Sequence, residues 1–141
     1  MLRLLMLPTL FLLSCNPKAQ NSPVKGDDLN PQFSLPKKLK EVSGITLSKD
    51  KKTMWVIEDR GNKNAIYGLS DKGEMLAKVP VENAENTDWE DIISDAQGNI
   101  YIGDFGNNDN DRRDLAILKT DLKDTAQKTT KVGQTTKFHY V

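Results

Sequence analysis

Three short segments gather most of the chain's reactive-looking side chains: Glu58-Asp59-Arg60-Gly61-Asn62, Asp88-Trp89-Glu90-Asp91 and Asp104-Phe105-Gly106-Asn107-Asn108. Carboxylates and amide oxygens are hard ligands, and Ca²⁺ takes about six to eight of them. The expected ligand set is Glu90, Asp91, Asp104 and Asn107, with Glu58, Asp59 and Arg60 on the same face. A cation held there would act as a Lewis acid on an ester or phosphate. The same residue types also build turns. An Asp carboxylate accepts backbone N–H bonds, and a following Gly or Asn takes positive φ. Arg60, Arg112 and Arg113 are alternative partners for the acids. From sequence both uses stay open. Trp55, Trp89 and Tyr101 are read as packing aromatics.

Other chemistries fail on inspection. Asn107-Asn108-Asp109-Asn110-Asp111 begins like a calcium loop, but Arg112 stands where a Gly is needed and Leu118 where a Glu is needed. Asp104-Phe105-Gly106 matches a kinase tripeptide with none of the other kinase segments before it. His139 is the only His, which rules out a multi-His zinc site. No Gly-x-Ser-x-Gly elbow occurs. Asp88-Trp89 is the reverse of the Trp-Asp dipeptide of WD40 repeats.

The elements that must position these residues are strands. Short apolar runs alternate with turn residues, and helical periodicity is absent. Gly44–Leu47, Thr53–Ile57, Ala65–Leu69 and Met75–Val81 predict a four-stranded antiparallel meander. Trp89–Ser94, Ile100–Gly103 and Leu115–Lys119 predict a second. Gly44 aligns with Asp91, Trp55 with Tyr101 and Asn62 with Asn107, at intervals of about 45 to 47 residues, the spacing of propeller blades. The first strand of a blade lies nearest the central channel, which places Glu90 and Asp91 at its mouth. The fold class expected is all-β, as antiparallel four-stranded blades of a partial β-propeller. An ordinary β-sandwich with similar strand spacing is the alternative.

Val42-Ser43-Gly44-Ile45, Trp55 through Asn62, Asp88-Trp89-Glu90-Asp91-Ile92 and Tyr101 through Asn108 come in an order that resembles the opening blades of secreted bacterial propellers. Those are of the six-bladed NHL/TolB-like kind, and the resemblance covers about Leu39 to Leu118. It implies a scaffold used by binders, lactonases, phytase-like esterases and structural modules alike. Such propellers are about twice as long. The expectation is therefore a chain truncated after about two blades plus the start of a third, spanning residues 37–141.

The N-terminus is expected to carry no fold. Residues 1–14 have one charge, Arg3, and an apolar run, Leu4 to Leu13, that is too short to span a bilayer. Leu12-Leu13-Ser14-Cys15 resembles the lipobox of bacterial lipoproteins, whose Cys is diacylated. The alternatives are a plain signal peptide with a chance Cys, or a buried strand. Cys15 is the only Cys, so no intramolecular disulfide can form. Residues 15–36, with four prolines among polar residues, read as a tether. Phe33 and Leu35 are expected to dock on the folded part.

Charge narrows the partners. The chain has 20 basic and 20 acidic residues, and losing Arg3 leaves it near neutral. That offers no basic patch for nucleic acid and no polybasic run for anionic lipid. Membrane attachment would rest on the acyl chains alone. The expected protein is a lipoprotein of the bacterial envelope, with palmitate-type acylation and the outer membrane favoured by Asn16. Its expected role is a non-catalytic module that binds a protein or glycan. The alternative is a fragment of a Ca²⁺-dependent propeller hydrolase.

Overall fold

A computed structural model describes residues 30–141; Cys15, the expected leader and most of the expected tether lie outside the described residues. The chain forms eight strands: β1 Val42–Leu47, β2 Met54–Glu58, β3 Ala65–Leu69, β4 Met75–Pro80, β5 Trp89–Ser94, β6 Ile100–Asp104, β7 Leu115–Thr120 and β8 Val132–Phe138. They make two four-stranded antiparallel sheets, β1-β2-β3-β4 and β5-β6-β7-β8, with no helix among the described residues. The all-β expectation of successive four-stranded meanders holds.

Turn chemistry sets the hairpins. Gly73 and Gly98 take positive φ, 76° and 87°, between β3 and β4 and between β5 and β6. Asp95 opens the second of these turns. It accepts the N–H groups of Gln97 and Asn99, the Asn99 side-chain amide and the Tyr101 hydroxyl. Those bonds, the Asn99 side chain first, hold its carboxyl down at about 2.

The two sheets repeat each other in register. Val42 pairs with Glu58 and Gly44 with Ile57, with a bulge between Val42 and Gly44. One unit on, Trp89 pairs with Asp104 and Asp91 with Gly103, with a bulge between Trp89 and Asp91. The same irregularity at the same place in both is what a blade repeat predicts, and a chance sandwich does not require it.

The blades meet along β1 and β5, and β2 also touches β5. Gly44 permits the approach, because a Cβ there would lie 2.8 Å from the Ile92 backbone nitrogen. Trp55, Ile57, Ile66 and Val79 of the first blade share one buried cluster with Trp89, Ile92, Ile102 and Leu118 of the second. Trp89 is fully buried, and its indole N–H is satisfied by the Glu85 carbonyl at 3.1 Å. Burying a side chain of this size stabilises the seam by about 3 kcal/mol or more.

The segment beyond Thr120 completes the second sheet. Val132–Phe138 pairs with β7 as its fourth strand, and no described residue begins a third sheet. Five of its seven residues are exposed, so it lacks the apolar alternation by which strands are read. Ahead of β1, Phe33 seats its ring on Gly73, while Leu35 stays 43% exposed.

Candidate functional site

The blade repeat brings the end of β2 against the start of β5. Asn86, in the link between blades, donates to the carbonyls of Glu58 and Asp59 at 2.8 and 3.0 Å. Its own carbonyl oxygen accepts the Trp89 N–H at 3.0 Å. Ser43 donates its hydroxyl to the Trp89 carbonyl at 2.7 Å. These bonds fix Asp59, Asp88 and Glu90 around one point. One carboxylate oxygen from each lies within 4.8 Å of the others.

Gly106 forms the floor of this cluster. A Cβ on it would sit 2.2 Å from the Asp88 carboxyl carbon and 2.6 Å from Glu90 Oε1. The Gly106 N–H donates to the Asp88 carbonyl at 3.0 Å. Asp88 is 3% exposed, while Asp59 and Glu90 are half-buried. Burial raises the Asp88 carboxyl above its ordinary range, and the hydrogen bond and charge of Asp59 add to this, against Arg60 and Arg112. Glu90 is raised as well, by burial first and then by the charges of Asp59 and Asp88, against Arg60. The nearest cation is Arg60, whose Nε stands 3.9 Å from Asp88 Oδ1 and whose side chain is 57% exposed. Arg112 is engaged elsewhere, with Asp104 at 3.0 Å, Asp114 at 3.1 Å and the Gly106 carbonyl at 3.0 Å.

Each residue expected at the site has a definite place. Glu90 and Asp59 are in the cluster, and Arg60 flanks it. Asp91 is exposed and accepts the Ile92 N–H at 2.8 Å. The bulge between Trp89 and Asp91 interrupts the strand's alternation, and Asp91 is not among the carboxylates that converge with Glu90. Asp104 is buried, where it accepts the Asp88 N–H at 3.1 Å and the Arg112 guanidinium. Asn107 accepts the Arg112 N–H at 2.9 Å. Glu58 lies on the other face of its blade, bonded to the Tyr67 hydroxyl at 2.8 Å and the Lys40 N–H at 2.5 Å. Asp88, the most buried member of the cluster, was not in the expected ligand set. It precedes β5, and the bulge at Glu90 breaks the strand period there, so the spacing of residue types does not single it out.

Chemically, three carboxylates so close cannot all stay ionised without help. They can share a proton or hold a cation. The hydroxyl and amides around them are committed to backbone groups, as Ser43, Asn86 and Asn107 show. A hollow of about 520 Å³ lies at the opposite ends of these strands, lined by residues that include Ser48, Asp50, Thr53, Trp55 and Lys123. It is remote from the carboxylates.

No curated protein matches the chain. Residues 31–138 match the family model described as SdiA-regulated, a β-propeller-like domain, and this agrees with the two repeated sheets. The match takes in most of the chain and both blades, and on it the chain belongs to the SdiA-regulated family.

Proposed function

We propose that this is an envelope-anchored β-propeller lipoprotein of the six-bladed NHL/TolB-like kind, working as a non-catalytic binding module for a protein or glycan. The anchor would be diacylated Cys15, and the outer membrane its location. The observation that supports a binding role is the make-up of the seam end. Groups of both signs, Asp59, Glu90 and Arg60, stand there on a frame fixed by Asn86 and Ser43, and the nearby hydroxyl is held by a backbone carbonyl. A rigid polar rim suits recognition, since little ordering is left to be done on binding.

The test is crosslinking in intact cells with the full chain, beside a Glu90→Lys variant. A partner captured by the parent and lost from the variant is expected. Capture that ignores Glu90→Lys would move the binding face elsewhere.

One observation favours a second reading, a Ca²⁺-dependent propeller hydrolase. Oxygens on one Ca²⁺ stand about 2.3–2.6 Å from it and so at most about 5 Å apart. The spacing of Asp59, Asp88 and Glu90 meets that limit. Hydrolysis of an ester, lactone or phosphate that needs Ca²⁺ and is lost in Asp88→Asn would replace the binding reading with this one.

A further inference from the structure

The contact between the two blades has two sides, and each side recurs, uncovered, on the far side of the other blade. At the seam the second blade contributes Ile92, which is 2% exposed. The matching residue of the first blade, by the shared bulge and register, is Ile45 on the outward face of β1, and it is 56% exposed. The first blade contributes Thr46, whose hydroxyl is 3.3 Å from that of Ser94. The residue matching Thr46 is Ile93, on the outward face of β5 and 61% exposed. The residue matching Ser94 is Leu47, 47% exposed.

Both outward faces are made like the buried ones. Beyond Ile93 there is a hollow of about 180 Å³ whose lining includes Tyr101, Gly103, Phe105 and Ile117. Tyr101 and Gly103 match Trp55 and Ile57, the residues that pack into the seam from the first blade. On the other outward face, Val56 and Leu69 pack with Leu39 and Val42. Val42 pairs with Glu58 as Trp89 pairs with Asp104. The segment before β1 thus belongs to that face as the link before β5 belongs to the seam, and it leaves Ile45 and Leu47 open.

We propose that the occupant of these faces is a second copy of this chain, docked head to tail by repeating the blade-to-blade contact. Ile93 and Tyr101 of one copy would meet Ile45 and Leu47 of the next. Such a contact joins two different faces, so it propagates until a ring closes. Propellers have about four to eight blades, so closure takes two to four copies. The ring covers both apolar faces. The inference goes beyond the binding role and does not rest on it.

The experiment uses the full chain carrying Cys15→Ser, which removes the only thiol. The mass in mild detergent is measured by sedimentation. Separate Leu47→Cys and Ile93→Cys variants are then mixed and oxidised. The expected result is an assembly of two to four copies, a crosslink only in the mixture, and a monomer with unchanged β circular dichroism for Ile93→Asp. A monomer at every concentration overturns the proposal and leaves the faces to a different sequence. Crosslinking of Ile93→Cys with itself overturns it in favour of a face-to-face dimer.

Discussion

Glu58 and Asp104 occupy matching positions one blade apart, and each reaches back to the backbone that leads into its blade. Glu58 accepts the Lys40 N–H at 2.5 Å, and Asp104 accepts the Asp88 N–H at 3.1 Å. The acid at the end of each second strand therefore locks the approach to the first strand. What differs is the remaining partner: a tyrosine hydroxyl for Glu58, and the Arg112 guanidinium for Asp104.

This makes Asp104 a structural acid with a measurable cost of removal. Both it and Arg112 are largely buried, with side chains 10% and 14% exposed. Removing one partner of such a pair strands the other, at about 3–5 kcal/mol. Asp104→Ala is expected to lose stability near the lower end of that range, by urea titration. Arg112→Met in the same background should cost much less than it does alone. Additive losses in that cycle would show that the two side chains act independently.

The seam offers a second test. Gly44 has no room for a Cβ, and the obstruction is the backbone of Ile92 and Asp91, which cannot swing away as a side chain could. Gly61 has positive φ, 79°, but nothing within 4 Å of a Cβ. Gly61→Ala is expected to cost about 1–2 kcal/mol, from backbone strain alone. Gly44→Ala should cost more, because it forces β1 and β5 apart. Equal melting temperatures for the two variants would mean that the blades do not pack as described.

Much of this fold was legible in the sequence. Trp55, Val56 and Ile57, or Ile100 to Ile102, are β-formers bounded by Gly, Asn and Asp, and they form strands. β8 was not legible, because Gly133 through Lys137 are polar and exposed on an outer strand that takes its place from hydrogen bonds to β7. At the site, the end of the blade was readable but the facing of single side chains was not. The bulge beside Glu90 and the turn that brings Arg112 onto Asp104 decide which acids converge. Neither is encoded by residue type alone.

Cys15 falls outside the described residues, and its acylation has a direct test. Cys15→Ser is expected to abolish labelling by a fatty-acid analogue and to leave the precursor uncleaved by lipoprotein signal peptidase. Labelling and membrane fractionation that are unchanged in the variant would end the lipid-anchor reading.

The carboxylate cluster should set how stability varies with pH. Asp88 and Glu90 titrate above their ordinary values of 3.8 and 4.5 in the folded chain, mainly because they are buried and then because Asp59 is beside them. Between the ordinary and the raised values the folded state holds more protons than the unfolded one. Stability therefore falls as pH rises through that window. Asp95 works in the other direction. Its carboxyl is depressed to about 2, so its contribution is present above 3.8 and is lost as pH falls through about 2. The two windows do not overlap, and the chain should be most stable in mild acid. Asp88→Asn keeps a hydrogen-bonding group next to Asp59 but carries no charge. Its melting temperature should match the parent's in acid and exceed it once pH rises above the ordinary carboxylate range. Ca²⁺ separates the two ways of relieving the cluster. If a cation binds there, adding it lifts the parent at neutral pH by mass action and leaves Asp88→Asn unmoved. If the acids share a proton instead, Ca²⁺ and a chelator give the parent the same curve. Parallel pH profiles for parent and variant, with no divergence above the ordinary carboxylate range, would show that the cluster carries no repulsion to relieve.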